Sequence, residues 1–429
     1  MKILIVSQYW FPENGVPQRR WQWLSQILTE AGHDVVVIAP PPHYQRKVTF
    51  RDWARRKHSL TPLLGKGASG ESIYRSAFLP EGQSLISRVF NQAFVAFGMI
   101  WVAIRSSRDL RDIDVVIGTV PALPTAAVAA TVARLFDAPY LIDLRDAWPD
   151  LLEEATNWNR DLGKRSLHEK VLSQGPLQAM LWLARNVINR VLERAQGIFV
   201  TSEFLREQLL QQLGSGRRDV TTIRNVFPPE TPLVRDGWSA PQGGRINVLY
   251  AGTLGRAQNL GNAITAANLV AERGIEINLR LVGAGVARKT LSGLIAESRA
   301  HISIEDRRDA DALGDCYQWA DTALVHLTDW EPLSRAVPSK TYELMELGIH
   351  ISGVVAGETA EIIERLGAGD VVEPESPSAL ADLWCALAMN PDRLIVSGDG
   401  ASWVRRERNE VVPPLLIDSI ATAREKKHP

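Results

Sequence analysis

A chain of 429 residues that sets 48 Lys and Arg against 49 Asp and Glu is close to neutral, with a formal charge of -1, and 45% of it is hydrophobic. That balance excludes a general electrostatic pull toward nucleic acid and describes a globular protein of about two to three domains, two large ones being the starting division. The two cysteines, Cys316 and Cys385, lie far apart without CxxC or Cys/His spacing, which points away from a disulfide framework or zinc site and suits a reducing cytoplasm.

In chain order, MKILIVSQYW reads as a buried first strand, Ile3 to Ser7, because its apolar run is too short for a signal peptide. The loop from Gln8 to Pro17 contains Gly15 and leads into a helix, Arg19 to Ala31. A glycine there lets backbone approach a ligand, and a helix N-terminus presents free N–H groups to an anion. The loop lacks GxGxxG, so dinucleotide binding is not expected. Arg19 and Arg20 in the first turn oppose the helix dipole unless an anion offsets them.

Val35 to Ala39 is the next strand. Residues 43 to 58 follow with six Lys or Arg, and residues 90 to 104 form an apolar stretch ending at Arg105. A membrane-spanning helix needs about 20 apolar residues, more than this stretch offers. Two readings stand: a solvated loop followed by a core helix, or a basic and apolar pair resting on an anionic membrane face.

The first half continues with strands Val115 to Thr119, Tyr140 to Leu144 and Gly197 to Thr201, and helices Ala122 to Phe136 and Leu177 to Arg194. In YLIDLRDAWPDLLEE, Asp143, Arg145 and Asp146 stand at a strand's carboxyl end, where charges face a cleft and not the core. Alternation puts Asp143 and Arg145 on one face, so a salt bridge between them competes with a functional role. Asp146 is the residue to test first.

Residues 228 to 245 are rich in Pro and Gly and read as a linker. The plan then restarts with strands Ile246 to Tyr250, Ile277 to Val282, Ile302 to Ile304, Thr322 to Val325, Ile349 to Val354 and Gly369 to Val372, and helices Asn259 to Glu272, Arg288 to Ser298 and Thr341 to Leu347. The expected fold is therefore α/β: two doubly wound Rossmann-like domains, 1–235 and 246–400, facing across a cleft. A last helical stretch, 401–429, would cross back onto the first domain.

Two loops of the second half carry glycines. LYAGTLGRAQNLGN sets Gly252 and Gly255 before Arg256, backbone donors and a guanidinium that suit a pyrophosphate. LRLVGAGVARKTL places Gly283 and Gly285 directly after a strand. Either loop alone is equally well a tight turn. In PSKTYELMELG, Lys340 falls in a first helical turn, the wrong end of the dipole for a cation, and a phosphate there would remove the conflict. Glu343 shares a face with Leu347 while Glu346 lies about 60° around, so the two glutamates need not share a task.

Taken together, KILIVSQYWFPENGVPQRR, LIDLRDAWPD, IFVTSEFLREQL, LYAGTLGRAQNL, LRLVGAG and PSKTYELMELG make the chain resemble a family 4 glycosyltransferase of the GT-B architecture. Within it the likeness is to the bacterial subgroup that moves sugars, often N-acetylated amino sugars, in O-antigen, capsule or exopolysaccharide assembly. The resemblance implies a retaining transfer from a nucleotide diphosphate sugar, UDP-linked, to a lipid-linked or saccharide acceptor, without metal or cofactor, in the cytoplasm or on the inner membrane face. It implies that Glu343 binds the donor ribose, Lys340 and Arg256 the pyrophosphate, and Gly283 to Gly285 the base, with Gly15 and Arg19 approaching from the other side and Asp146 near the transferred sugar. Asp146, Arg145 and Glu343 form the expected catalytic set.

Four positions depart from the family pattern. Arg335 stands where a glutamate is common, Thr253 and Gln258 where an arginine and a lysine are, and Arg145 where a histidine is. An isomerase resembling UDP-N-acetylglucosamine 2-epimerase, and a noncatalytic nucleotide-sugar-binding relative, are the alternatives.

Overall fold

The computed structural model describes residues 1–13, 15–42, 63–79, 85–120, 122–147, 150, 176–214, 219–229, 235, 238–241, 243–308 and 310–426. The basic segment 43–58 lies outside them, as do Asn14, Trp148, Pro149 and part of the linker.

The first sheet contains β1 (Lys2–Val6), β2 (Asp34–Ala39), β3 (Leu63–Lys66), β4 (Ser72–Arg75), β5 (Val115–Val120), β6 (Tyr140–Leu144), β7 (Gly197–Val200) and β8 (Val220–Thr222). Their spatial order is β3-β4-β2-β1-β5-β6-β7-β8, parallel except for the β3–β4 pair. The second sheet, wholly parallel, runs β11-β10-β9-β12-β13-β14, built from β9 (Arg245–Ala251), β10 (Glu276–Val282), β11 (His301–Glu305), β12 (Thr322–His326), β13 (His350–Val354) and β14 (Gly369–Val372). Runs such as DVVVIA and VVIGTV carry almost no polar residue because helices cover both faces of a parallel sheet. The two doubly wound α/β sheets expected from the sequence are present. The β3–β4 hairpin and the short β8 were not expected, since neither has an apolar run long enough to stand out.

In the first half the helices are α1 (Val16–Glu30), α2 (Leu85–Arg105), α3 (Pro124–Leu135), α4 (Pro176–Arg194) and α5 (Glu203–Leu213). The second half holds α6 (Gly261–Glu272), α7 (Arg288–Ala296), α8 (Ala310–Trp319), α9 (Ser339–Glu346), α10 (Glu358–Arg365) and α11 (Pro377–Met389). After α11 come α12 (Asp399–Arg406), a π-helical turn (Glu407–Val411) and α13 (Val412–Glu425).

The helix α12 packs on α9, whereas α13 packs on α1 and on β5, β6 and β7 of the first sheet. Leu416 and Ile420 of α13 are fully buried. Polar contacts fasten the same helix, Ser419 Oγ lying 3.0 Å from Thr221 Oγ1 and Arg424 Nε 2.9 Å from Asp114. One apolar cluster consequently runs from Ile5 and Trp21 through Leu416 and Ile420 to Tyr342 and Met345, joining both halves. Among the described residues, no helix is long and apolar enough to cross a membrane.

Candidate active site

In each sheet the strand order reverses beside one central strand, β1 in the first and β9 in the second. Crevices open at the carboxyl ends of strands at such points. Three groups of the expected residues gather at strand ends.

The first is the head of α9. Pro338 caps this helix with no side-chain hydrogen bond, and no acidic residue lies in its first turn. Lys340 Nζ donates to Tyr317 Oη at 2.6 Å and Glu343 Oε2 at 3.1 Å, while Tyr317 Oη donates to Glu343 Oε1 at 2.9 Å. The dipole conflict of Lys340 is thus met inside the protein by a carboxylate one turn on. Burial pushes the Glu343 carboxyl up, but Lys340 and Arg19 outweigh it and hold Glu343 below the usual carboxylate range. Burial and the Glu343 charge push the Tyr317 phenol well above its ordinary value, so it stays a donor.

Arg19 reaches this cluster from the first half. Its guanidinium lies 4.7 Å from the Phe227 ring centroid and donates to Pro228 O at 3.0 Å, and it lines a small cavity with Ser339, Tyr342 and Glu343. Glu346 borders the same cavity but is gripped by both terminal nitrogens of Arg408, at 2.7 Å for Nη1. Arg408 Nε also donates to Val226 O. The two glutamates therefore border one cavity with different partners: Glu343 is held by Lys340 and Tyr317, Glu346 by Arg408.

The second group is the pair of glycine loops after β9 and β10. Gly252 N donates to Val282 O, Leu254 N to Ala284 O and Ala287 N to Leu254 O, each at 3.0 Å. A Cβ on Gly283 would lie 1.8 Å from Gly252 O, and one on Gly285 would lie 2.1 Å from Leu254 O. These two glycines are thus required by the loops' own backbone contact, whether or not a base packs there. Gly15 and Gly255 differ, since a Cβ there would meet only the side-chain oxygens of Gln18 and Gln258. Arg256 and Thr253 are exposed and Gln258 half-buried.

The third group sits at the end of β6, where a correction is needed. Asp143 does not pair with Arg145. It accepts from Arg20 Nη2 at 2.8 Å, Arg20 Nε at 3.3 Å and Trp21 Nε1 at 2.8 Å, and both Arg20 and Asp143 are fully buried. Arg20 Nη1 also donates to Ile223 O at 2.7 Å and Asn225 Oδ1 at 3.0 Å. Because α1 begins at Val16, Arg19 and Arg20 lie past its opening residues and not in the first turn expected, and Arg20 is answered by a core carboxylate and not by an anion from outside. Alternation along β6 is a local rule, and it does not see a cation arriving from a helix 123 positions away in sequence. Arg145 and Asp146 are both half-buried.

Arg335 forks onto Glu331 at 2.6 and 2.9 Å and reaches Asp150 of the first half at 3.2 Å. Its carbonyl accepts from Ser202 Oγ. It is a bridge between the halves, reinforced by Glu358, which binds Arg224 Nη1 at 2.6 Å and Phe204 N at 2.8 Å. Tyr317, Asp150, Arg224, Glu358 and Arg408 were not singled out in the sequence. No spacing signal marks them, because their partners lie up to 185 positions away. Among the described residues, no group of three or more His, Cys, Asp or Glu could hold a metal ion.

Two parallel α/β units joined by a crossing helix, with cation and carboxylate at a helix head facing the cleft, define a two-domain GT-B architecture. Residues 15–226 match the model of the glycosyl transferase 4-like domain and residues 239–393 that of the glycosyl transferases group 1; the chain belongs to the family 4 glycosyltransferases. Among curated proteins it is 21% identical over 394 residues to an Escherichia coli K12 protein named as a colanic acid biosynthesis glycosyl transferase, WcaI, covering 89% of this chain and 90% of that one. Among solved structures it is similar to sucrose-phosphate synthase from Thermosynechococcus elongatus, at 16% identity, 98% coverage of both chains and a TM-score of 0.68. It is similar also to Anabaena HepE in complex with UDP-glucose, at 15% identity, 98% and 99% coverage and a TM-score of 0.62.

Proposed function

We propose that this glycosyltransferase moves a sugar of the N-acetylated hexosamine type from a UDP-linked donor, with retention, onto a lipid-linked or saccharide acceptor in cell-surface polysaccharide assembly such as O-antigen or capsule. The observation that carries the reading is the Lys340–Tyr317–Glu343 cluster at the head of α9 with Arg19 reaching it from the other domain. The name of WcaI supports the polysaccharide context, and HepE, solved with UDP-glucose, supports the donor class.

In this reading Glu343, kept ionised, accepts from the ribose hydroxyls. Lys340, Arg256 and the free N–H groups of α9 take up the charge that develops on the departing diphosphate. Stabilisation of that leaving group and orientation of the acceptor hydroxyl supply the rate, with no protein nucleophile required. Gly15 leaves room for the sugar and Asp146 borders it, with Arg145 beside it. The Gly252–Gly255 loop meets the pyrophosphate beside Arg256, and the Gly283–Gly285 loop walls the base.

The lipid-linked acceptor and a peripheral position on the membrane draw support from α2. Phe90, Phe94, Phe97, Trp101 and Ile104 are exposed by 68%, 38%, 67%, 44% and 50%, at alternating spacings of four and three that form one stripe along the helix. Trp182 and Leu183 of α4 are likewise exposed.

The test incubates purified protein with a panel of UDP-sugars and extracted membrane lipids. Acceptor-dependent release of UDP, with the anomeric configuration of the product matching that of the donor by NMR, is the expected result. Absence of donor binding across the panel removes the proposal, and inversion removes its retaining step.

A further inference from the structure

At Arg145 the charge is favoured by the nearby carboxylates of Asp146 and Asp143, yet two of the guanidinium nitrogens make no hydrogen bond. Arg145 follows β6 directly, its backbone N bonded to Val120 O at 3.4 Å and its carbonyl accepting from Thr201 Oγ1 at 2.9 Å. The residue is half-buried, and its Nε and Nη1 are shut off from solvent without a hydrogen-bond partner. No hydrogen bond joins it to Asp143, whose carboxylate accepts from Arg20 and Trp21 and acts on Arg145 through its charge alone. Shielding guanidinium N–H groups while leaving them unbonded costs their desolvation with nothing returned. Such groups in a native fold call for an explanation, a binding role among them.

Its position says which ligand. Ser202, just past β7, and Asp150, five residues beyond Arg145, both touch Arg335 of the second domain. Arg145 therefore lies at the strand ends of the first domain that border the second. The donor's diphosphate already has Lys340 and the head of α9 in the second domain under the reading above. We infer that Arg145 binds a second anion, a phosphate or carboxylate carried by the acceptor; this rests on the proposed donor site, and it makes the acceptor itself anionic near the reacting hydroxyl. A planar guanidinium with five donors suits either oxyanion.

Isothermal titration of the full chain saturated with UDP, using inorganic pyrophosphate in one arm and glucuronate in the other, tests this. Wild type is expected to bind one of the two probes, which tells phosphate from carboxylate. Arg145→Gln should weaken that binding at least tenfold while its affinity for UDP stays within about twofold, and Arg145→Lys should retain part of the binding. Three results overturn the inference: neither probe binds the UDP-saturated wild type; Arg145→Gln binds as wild type does; or Arg145→Gln loses UDP in equal measure, which makes the anion the donor's own. If Arg145→Gln does not fold, judged by circular dichroism, Arg145→Lys carries the test, with unchanged probe affinity counting against the inference. If UDP fails to bind wild type, the donor reading falls separately, and the same titrations without UDP in a Lys340→Gln background still read Arg145.

Discussion

Lys340 at the head of α9 could be noticed in the sequence as a cation at the wrong end of a helix. Its answer, Glu343 with Tyr317 between them, combines one residue a turn away with another on α8. A diphosphate entering here competes with Glu343 for Lys340. Removing either side should then act differently: Lys340→Ala is expected to weaken UDP binding at least tenfold by calorimetry, whereas Tyr317→Phe, which keeps the ring but loses both bonds, should weaken it only a few-fold. His326 offers a second test at this scale. It is buried, Nε2 lies 2.9 Å from Asn262 Nδ2, and burial pushes the imidazole down to about 4. Below about 6.5 the unfolded chain takes up a proton that the folded chain refuses until about pH 4, so stability is full above that window and falls as pH drops through it. The loss is about 3 kcal/mol across the window, from about 1.4 kcal/mol per pH unit. Urea midpoints from pH 7 to 4.5 should show this decline, and His326→Gln should flatten it.

At the scale of elements, α2 has one face in the core, with Val95, Met99, Val102 and Ala103 buried, and an opposite face of aromatic and aliphatic side chains exposed to solvent. Its apolar run was visible in the sequence, but not that the helix would spend only half of it on the core. Phe97→Ser with Trp101→Ser removes two of the five stripe residues and leaves Val95, Met99, Val102 and Ala103 of the buried face in place. Sedimentation with vesicles containing anionic lipid is expected to fall several-fold while the melting temperature stays within a few degrees; unchanged sedimentation would show that this face does not meet lipid. The Arg20–Asp143 pair lies inside the contact of α1 with β6. Asp143→Asn leaves a buried guanidinium without its counter-charge, and a loss of about 3–5 kcal/mol is expected in denaturant unfolding.

Across the whole molecule, the domains are held by α13 and by a line of ion pairs at the joint: Arg224–Glu358, Arg335–Asp150 and Arg408–Glu346. Because Leu416 and Ile420 complete the apolar core of the first domain, a chain ending after residue 411 should lose stability in both halves, read as a lower single transition or a split one in calorimetry. Both sheets, their strands other than β3, β4 and β8, and the sites of most helices were legible from residues near one another. Long β-branched runs alternating with amphipathic stretches leave a parallel α/β unit as the economical way to bury them. The glycine loops and the head of α9 could be located for the same local reason. Which charge answers which could not: the Asp143–Arg145 pairing that alternation left open gave way to Arg20, and Arg335, which looked like a gap in the sugar site, ties the halves together. Periodicity reaches across a few residues, whereas the desolvation of a buried charge is settled by whichever partner the folded chain brings within about 3 Å, and for Arg20, Arg224 and Arg335 those partners include residues more than 100 positions away.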